Sequence, residues 1–415
     1  MNTTQAPLFR RDFTLVVIGQ IISLFGNAAV RFVLPLYLLN QTGSSALYGT
    51  VMACTVVPSI LLSPVGGMIA DRVNKRNVMV VLDFATAGLL CTFMVLQGHV
   101  NLIGLLALTL MVLYGIAGAY QPAVQASIPA LILQENFMRA NAVINTISSV
   151  AALLGPVLGG ILYSIYGLMP ILEMCMVCFI LSAVMEIFIR IPYKKREKES
   201  SILKTVKKDI GESVRFICRE KPVIGKGLLV VCCFNLFLST MIMIGLPYLI
   251  TEVMDFDTAQ ANRLYGCAEG ALAAGGLAGG IGAGILADRL QLRKTGNLLI
   301  VSAACVFPMG LALLWLDSAI AVYLIMVVCC FVIMMVATVF SIQVMAFVQA
   351  QTPQSLVGKV ISACMMISMC AQPVGNAMYG FLFEICAGYE ALVILFAGVV
   401  SLVVAFMARK VFSRL

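Results

Sequence analysis

Long apolar runs separated by short polar loops make up almost the whole chain. Twelve of these runs approach or exceed the roughly 20 apolar residues that a helix needs to cross a bilayer. Lipid offers no hydrogen-bond partner for exposed backbone groups, so each run is predicted to be a helix. The predicted spans are Phe13–Leu39, Ala46–Ala70, Asn77–Leu96, Leu102–Tyr120, Asn141–Ile165, Leu168–Ile191, Gly227–Ile250, Leu264–Ala287, Asn297–Leu316, Ala319–Gln343, Val360–Phe383 and Ala391–Ala408.

One long polar stretch, Pro192–Lys226, separates the sixth run from the seventh. It carries eleven Lys or Arg against five Asp or Glu. Apolar residues recur every three or four positions from Ile202 to Ile217, which predicts an amphipathic helix on a membrane surface. The predicted domains are a six-helix bundle over residues 1–191, a basic cytoplasmic linker over 192–226 and a second six-helix bundle over 227–415.

Composition supports the interpretation of these runs as membrane spans. The chain has 415 residues, of which 61% are hydrophobic and only 11% are charged. A soluble domain is typically about 25% charged, so soluble and disordered classes are excluded. The fourteen cysteines lie mostly inside the apolar runs and are interpreted as small apolar residues, not as a disulfide framework. The sequence therefore predicts an all-α, multi-pass membrane protein.

The positions of the basic residues predict the orientation in the membrane. Cytoplasmic loops carry an excess of Lys and Arg. Of 27 Lys and Arg, all except Arg31 and Arg263 fall on one side if both termini are cytoplasmic. We therefore predict a protein of the plasma or inner membrane with both termini and the linker in the cytoplasm.

The two halves repeat each other. The second run ends in Gly67-Met-Ile-Ala-Asp71-Arg72, and the eighth ends in Gly284-Ile-Leu-Ala-Asp288-Arg289. The two aspartates are 217 positions apart, and so are Pro156 and Pro373. A parallel duplication of this kind is typical of secondary transporters whose substrate site lies between the halves.

The repeated segment also carries a family resemblance. Gly67-x-x-x-Asp71-Arg72-x-Asn74-Lys75-Arg76 resembles the loop signature between helices 2 and 3 of the major facilitator superfamily, with Asn74 where that signature has Gly. We expect Asn74 to adopt the left-handed turn in its place. The run Gly155-Pro156-Val-Leu-Gly159-Gly160 is similar to the end of the fifth-helix motif of drug:proton antiporters, and the chain as a whole resembles the twelve-helix macrolide-efflux branch. The fold implied is two pseudo-symmetric six-helix bundles.

The resemblance implies a conformational latch on the cytoplasmic side. Asp71 and Asp288 would each dock near a helix N-terminus of the opposite half, where a carboxylate satisfies free N–H groups. The alternative is that the basic residues merely retain the loop inside. Asp83 is interpreted as a partner of Arg72 or Arg76, with a proton site as the alternative. The predicted latch comprises Gly67, Asp71, Arg72, Lys75, Arg76, Asp83, Gly284, Asp288 and Arg289.

Two sets of glycines spaced four apart are predicted to be close helix contacts. One set is Gly155 and Gly159, and the other is Gly276, Gly280 and Gly284. Glu186 and Arg190 are one helical turn apart and are interpreted as a local ion pair. Glu173 and Glu384 lie near outer helix ends and are interpreted as solvated.

Polar residues within the spans are candidates for a substrate cavity, because such residues are costly in lipid. Arg31 and Glu269 lie at similar predicted depths in different halves, and we expect them to pair when the outer side is closed. Separate solvation of the two charges is the alternative. The candidate cavity residues are Gln20, Asn27, Arg31, Asn235, Ser239, Glu269, Gln372 and Asn376.

The leading functional interpretation is a proton-coupled exporter of lipophilic or amphiphilic small molecules. A dedicated exporter of one metabolite or siderophore is an alternative, and a transport-inactive receptor or scaffold is a remote one. The chain has no P-loop sequence for nucleotide binding and no His-Glu-x-x-His sequence, so we expect neither an enzyme nor a cofactor or metal. The expected partners are a small-molecule substrate, protons and the lipid bilayer, and not nucleic acid.

Overall fold

Twelve long helices follow one another along the part of the chain that the structure describes. The computed structural model describes residues 11–132, 136–191, 211–285, 295–353 and 356–412, and no β-strand occurs in these ranges. The helices are α1 (Arg11–Thr42), α2 (Ser45–Arg72), α3 (Lys75–Leu96), α4 (Leu102–Leu131), α5 (Phe137–Tyr166), α6 (Leu168–Ile187), α7 (Pro222–Val253), α8 (Thr258–Ile285), α9 (Thr295–Ala304 and Val306–Trp315, joined at Cys305), α10 (Ala319–Gln351), α11 (Val357–Ile385) and α12 (Glu390–Phe412).

The helix lengths suit a membrane. In the described ranges, eleven helices are long and apolar enough to cross a bilayer. The remaining helix, α8, has 28 residues and therefore sufficient length, but its glycines and Glu269 lower its hydropathy. The predicted all-helical, multi-pass fold is therefore confirmed.

The seventh helix contains two wider turns. Its segments Asn235–Ser239 and Leu249–Val253 form π-helical turns within an otherwise α-helical rod. A π-turn inserts an extra residue per turn and often occurs at functional sites. In α7 the first π-turn carries both polar residues that the sequence singled out, Asn235 and Ser239.

The chain divides into two compact units. The boundary between them lies at the linker and also at both ends of a short segment within the N-terminal half. One unit contains residues 1–38 and 54–199, and the other contains residues 39–53 and 200–415. The short segment 39–53, which ends α1 and begins α2, therefore packs with the C-terminal helices. Within that unit, Asn40 Nδ2 donates to Asn262 Oδ1 at 2.9 Å, and Ser45 Oγ donates to the Gly380 carbonyl at 2.9 Å.

The N-terminal unit is built on α3, which packs against both α4 and α6. Val78 and Met79 of α3 are buried against Tyr120, Ala123 and Val124 of α4. A second core forms where α1 begins, α4 ends and α5 begins; it contains Phe13, Val16, Val17, Ile128, Ala140, Ile144, Ile189 and Ile191. Burial of these apolar side chains fixes these helix ends against one another.

The C-terminal unit repeats this arrangement. There α9 packs against both α10 and α12, as α3 packs against α4 and α6. Helices α8 and α10 cross closely at Gly275 and Gly279, because a Cβ at either position would overlap the carbonyl of Phe331 or Met335. The predicted set lies one residue further along, where a Cβ at Gly280 or Gly284 would meet nothing within 4 Å, and its expected close helix contact stays a prediction.

The end of the linker region docks on the C-terminal unit. Residues 211–220 are helical, and Phe216 and Ile217 are buried against Val360 and Ala363 of α11. Lys359 Nζ and Glu212 Oε2 form a partly exposed ion pair at 3.1 Å. The start of the predicted amphipathic helix, residues 202–210, lies outside the described residues.

Candidate functional site

Two carboxylates are buried within the N-terminal unit. Asp83 of α3 and Glu186 of α6 expose 2% and 0% of their surface. Four polar side chains from three helices surround them. We call the six residues the acidic cluster, and they are Gln20, Ser23, Asp83, Tyr120, Ser182 and Glu186.

A chain of hydrogen bonds joins three members of the cluster. Gln20 Nε2 donates to Tyr120 Oη at 2.7 Å, and Tyr120 Oη donates to Glu186 Oε1 at 2.9 Å. Helices α1, α4 and α6 are thus linked through one phenol, whose single proton points to Glu186.

Serine hydroxyls surround the second carboxylate. Ser23 Oγ donates to Asp83 Oδ1 at 3.0 Å, and Ser182, whose hydroxyl lies near Asp83, donates to the Gly19 carbonyl at 3.1 Å. Ser182 and Glu186 are one turn apart on α6, so they share a helix face. The two carboxylates therefore lie in one polar interior, separated from lipid by the surrounding helices.

Three oxygen atoms of the cluster have no partner. Gln20 Oε1, Asp83 Oδ2 and Glu186 Oε2 are buried without a hydrogen bond among the described residues. A buried acceptor without a donor costs about 1–3 kcal/mol, and an ionised carboxylate costs more. The cluster therefore contains more acceptor atoms than donors.

The structure corrects two expected pairings of these acids. Glu186 bonds Tyr120, whereas the expected partner Arg190 is exposed and its backbone N–H donates to Asp12. The expected link from Asp83 to Arg76 is also absent from the described contacts, and the side chain of the alternative partner Arg72 lies outside the described residues. The Arg76 guanidinium instead donates to Asn77 Oδ1 at 3.0 Å and to the Ile187 carbonyl.

The polar face of α1 continues beyond the acidic cluster. Gln20 and Ser23 are buried in the cluster, so Gln20 does not line an open cavity as expected. One and two turns further along α1, Asn27 and Arg31 are half-buried. The Arg31 guanidinium lies 3.8 Å from the centre of the Tyr114 ring of α4, which is a cation–π contact.

Some of the other predicted cavity residues lie close together in the C-terminal unit. Asn235 Nδ2 donates to the Ser368 carbonyl of α11 at 3.1 Å, and Ser239 Oγ donates to Asn235 Oδ1 at 3.3 Å. Gln372 is half-buried one turn beyond Ser368. Asn376 is fully buried and neither amide atom has a hydrogen bond among the described residues, so it does not line an open surface.

Glu269 of α8 is hydrogen-bonded by one tyrosine, which in turn contacts a second tyrosine. Tyr265 Oη donates to Glu269 Oε1 at 3.1 Å, and Tyr265 also hydrogen-bonds Tyr48 of the segment 39–53. Arg31 and Glu269 thus each have an aromatic partner within their own unit. Their expected pairing with each other stays a prediction.

Glu384, at the end of α11, accepts hydrogen bonds from residues at the start of α2. Ser44 Oγ and Ser45 Oγ donate to Glu384 Oε2 at 3.0 and 3.2 Å, and the Ala46 N–H donates to it at 3.2 Å. A carboxylate satisfies the free N–H groups and the positive dipole end of a helix N-terminus. The sequence predicts only that Glu384 is solvated and carries no signal for this capping role.

Known proteins share both the sequence pattern and this architecture. A family model described as "Major Facilitator Superfamily" matches residues 16–376, which is most of the chain. The chain belongs to the major facilitator superfamily.

Relatives within the superfamily include drug efflux proteins. The chain is 21% identical over 372 residues to "Macrolide efflux protein A" of Streptococcus pyogenes, covering 88% of each protein. It is 23% identical over 396 residues to "Multidrug efflux pump Tap" of Mycobacterium tuberculosis, covering 94% of this chain and 90% of the pump.

Solved structures share the fold at low identity. The nucleoside transporter NupG superposes with a TM-score of 0.75 at 13% identity, over 96% of this chain and 98% of that one. A bacterial homologue of the iron transporter ferroportin, in an inward-facing state, gives 0.71 at 17% identity, over 97% and 100%. These likenesses confirm the major facilitator fold of this transporter.

The superfamily loop signature is described in part. Gly67, Asp71 and Arg72 lie in the last turns of α2, and Lys75 and Arg76 begin α3. Asn74 does not adopt the expected left-handed turn: its φ is −59°, and its side chain accepts from the Arg76 N–H at 3.1 Å as a helix cap. Asp288 and Arg289 lie outside the described residues.

The antiporter-type motif has a packing role in this superfamily member. Gly155 and Gly159 lie against α1, where a Cβ would meet Ala28 and Phe32. Pro156 is inside α5, and Gly160 is buried. The predicted close contact of these two glycines is therefore made with α1, within the N-terminal unit.

Proposed function

We propose that this transporter is a secondary active exporter of lipophilic or amphiphilic small molecules, driven by proton exchange through alternating access. One observation carries the proposal: two efflux proteins, one for macrolides and one for multiple drugs, resemble it over at least 88% of its length. The polar groups on α1, α7 and α11 are few and mostly uncharged, which suits substrates with large apolar surfaces.

Uptake into inverted membrane vesicles tests this proposal. With an acid interior, wild-type vesicles are expected to accumulate several unrelated lipophilic fluorescent cations, and nigericin should abolish the accumulation by collapsing the pH gradient. Vesicles without the protein are the control. Accumulation of a single compound would instead indicate a dedicated exporter, and accumulation of none would contradict the proposal.

The predicted orientation can be tested at a native cysteine. Cys218 is exposed on the helical segment 211–220, which we place in the cytoplasm. In a variant that retains only this cysteine, a membrane-impermeant maleimide is expected to label it after permeabilisation and not in intact cells. A cysteine introduced at His99, in a predicted external loop, is the matched control. Labelling of Cys218 from outside would invert the topology.

The cytoplasmic latch also belongs to the proposal. Asp71 would hold the inner side closed in one conformation and release it in the other. Support for it comes from the loop signature, which retains the glycine, the aspartate and the basic residues.

A further inference from the structure

We propose that the Asp83–Glu186 pair of the acidic cluster binds the proton that this transporter exchanges for its substrate. The inference rests on the proposed export function and names the residues that would couple it to protons. It differs from the Arg31–Glu269 pairing suggested by the sequence, because it lies wholly within the N-terminal unit.

Charge is the first argument. Two carboxylates in one buried interior repel each other, and such a pair retains a proton that either group alone would lose. No Lys or Arg of the described residues forms an ion pair with Asp83 or Glu186, so among these residues no cation compensates two negative charges there. The repulsion between the two carboxylates is therefore relieved when the pair carries one proton.

The inventory of donors gives an independent argument. The Ser23 and Tyr120 hydroxyls each donate to a carboxylate, the Ser182 hydroxyl donates to the Gly19 carbonyl, and one N–H of Gln20 donates to Tyr120. Of the three remaining oxygens, that of Gln20 is always an acceptor, and those of Asp83 and Glu186 are acceptors only while both acids are ionised. A proton on either acid converts one of these oxygens into a donor, which can then serve another.

The other charged groups near the pair lie at its cytoplasmic side. Tyr120 of α4 is the titratable group that faces the pair directly. Arg76 lies two helical turns before Asp83, and its guanidinium is bonded to Asn77 and the Ile187 carbonyl. Arg190 is exposed beyond the end of α6. These cations lie near the surface, so they can help a proton leave without neutralising the buried pair.

The polar face of α1 offers a route from the other side. Asn27 and Arg31 are half-buried on the face that carries Ser23, whereas the cluster itself is buried. Four polar residues spaced three to four apart thus extend from the cluster towards the predicted outer end of α1. A proton taken up from outside could reach the pair along this face and leave near the end of α6.

The test separates proton coupling from substrate movement. The isosteric double variant Asp83→Asn/Glu186→Gln is reconstituted, and two transport modes are compared for the same lipophilic fluorescent cation. Accumulation driven by an imposed pH gradient is expected to fall to the level seen without a gradient, while counterflow without a gradient falls much less. Glu173→Gln, on the exposed face of the same helix α6, is the control and should behave as wild type.

An infrared readout makes the result independent of transport. On a pH step, the wild-type difference spectrum is expected to show a carboxylic-acid carbonyl band that shifts in D2O, and the double variant should lack it. Identical bands in both proteins, or gradient-driven accumulation by the folded double variant, would overturn the proposal. Failure of the wild type to move any cation, with the band present, would contradict only the export function. Gel filtration confirms that the variants fold.

Discussion

Gly279→Val is expected to be among the most destabilising single substitutions in the C-terminal unit. A Cβ at Gly279 would overlap the Met335 carbonyl of α10, and that backbone atom can only yield if the two helices separate. Overpacking a tight contact costs about 1–3 kcal/mol and sometimes more. We expect a large fall in melting temperature and in the monodisperse fraction of the protein purified in detergent.

The neighbouring glycine provides a matched control for this result. Gly280→Val adds the same β-branched side chain to the same helix, but a Cβ there meets nothing within 4 Å. Its melting temperature should therefore stay close to that of the wild type. A more damaging Gly280→Val would contradict the packing of α8 against α10 through Gly275 and Gly279.

Gly49→Leu is expected to release the segment 39–53 from α11 and to abolish transport. A Cβ at Gly49 would lie 2.5 Å from the Asn376 carbonyl and 2.8 Å from Gly380 Cα, so a leucine cannot fit while the contact persists. The segment connects α1 to α2, and we expect the proposed alternating access to require this contact to form and break. A transporter held in one state binds but does not turn over.

A reporter cysteine measures the release directly. Ser45 is fully buried beside Gly380, so Ser45→Cys should react slowly with an impermeant maleimide unless Gly49→Leu is also present. Gly88→Leu, at a helical glycine of α3 with no neighbour within 4 Å, is the control and should leave labelling slow and transport intact. Wild-type transport by Gly49→Leu would show that this contact is not part of the cycle.

The sequence predicted the helices well because hydropathy depends on neighbours in the chain. All twelve spans and the duplicated arrangement follow from local patterns and their repetition. Local patterns do not predict which glycines of a helix contact its neighbour. In α8, glycines occur in adjacent pairs, so Gly275 with Gly279 and Gly276 with Gly280 satisfy the same spacing of four. Only the position of α10 decides which pair is in contact.

The acidic cluster was foreseen only in fragments for a related reason. Asp83 was considered as a proton site, and Gln20 and Ser23 were recognised as one polar face. Glu186 was assigned to Arg190 because the two are one turn apart, and Tyr120 was treated as the end of an apolar run. The cluster forms only when four helices meet, and the single available signal was an acid inside a span that is costly to bury.

The grouping of residues 39–53 with the C-terminal helices has a mechanical consequence. Helices α1 and α2 run without a break from this segment into the N-terminal unit, so any movement of the segment must bend them. Pro35 lies inside α1 just before the segment, and Pro58 lies inside α2 just after it. Proline removes a backbone hydrogen bond and favours a kink. The segment can therefore shift as a rigid piece. The bending is then confined to the regions of Pro35 and Pro58, and both helices stay helical.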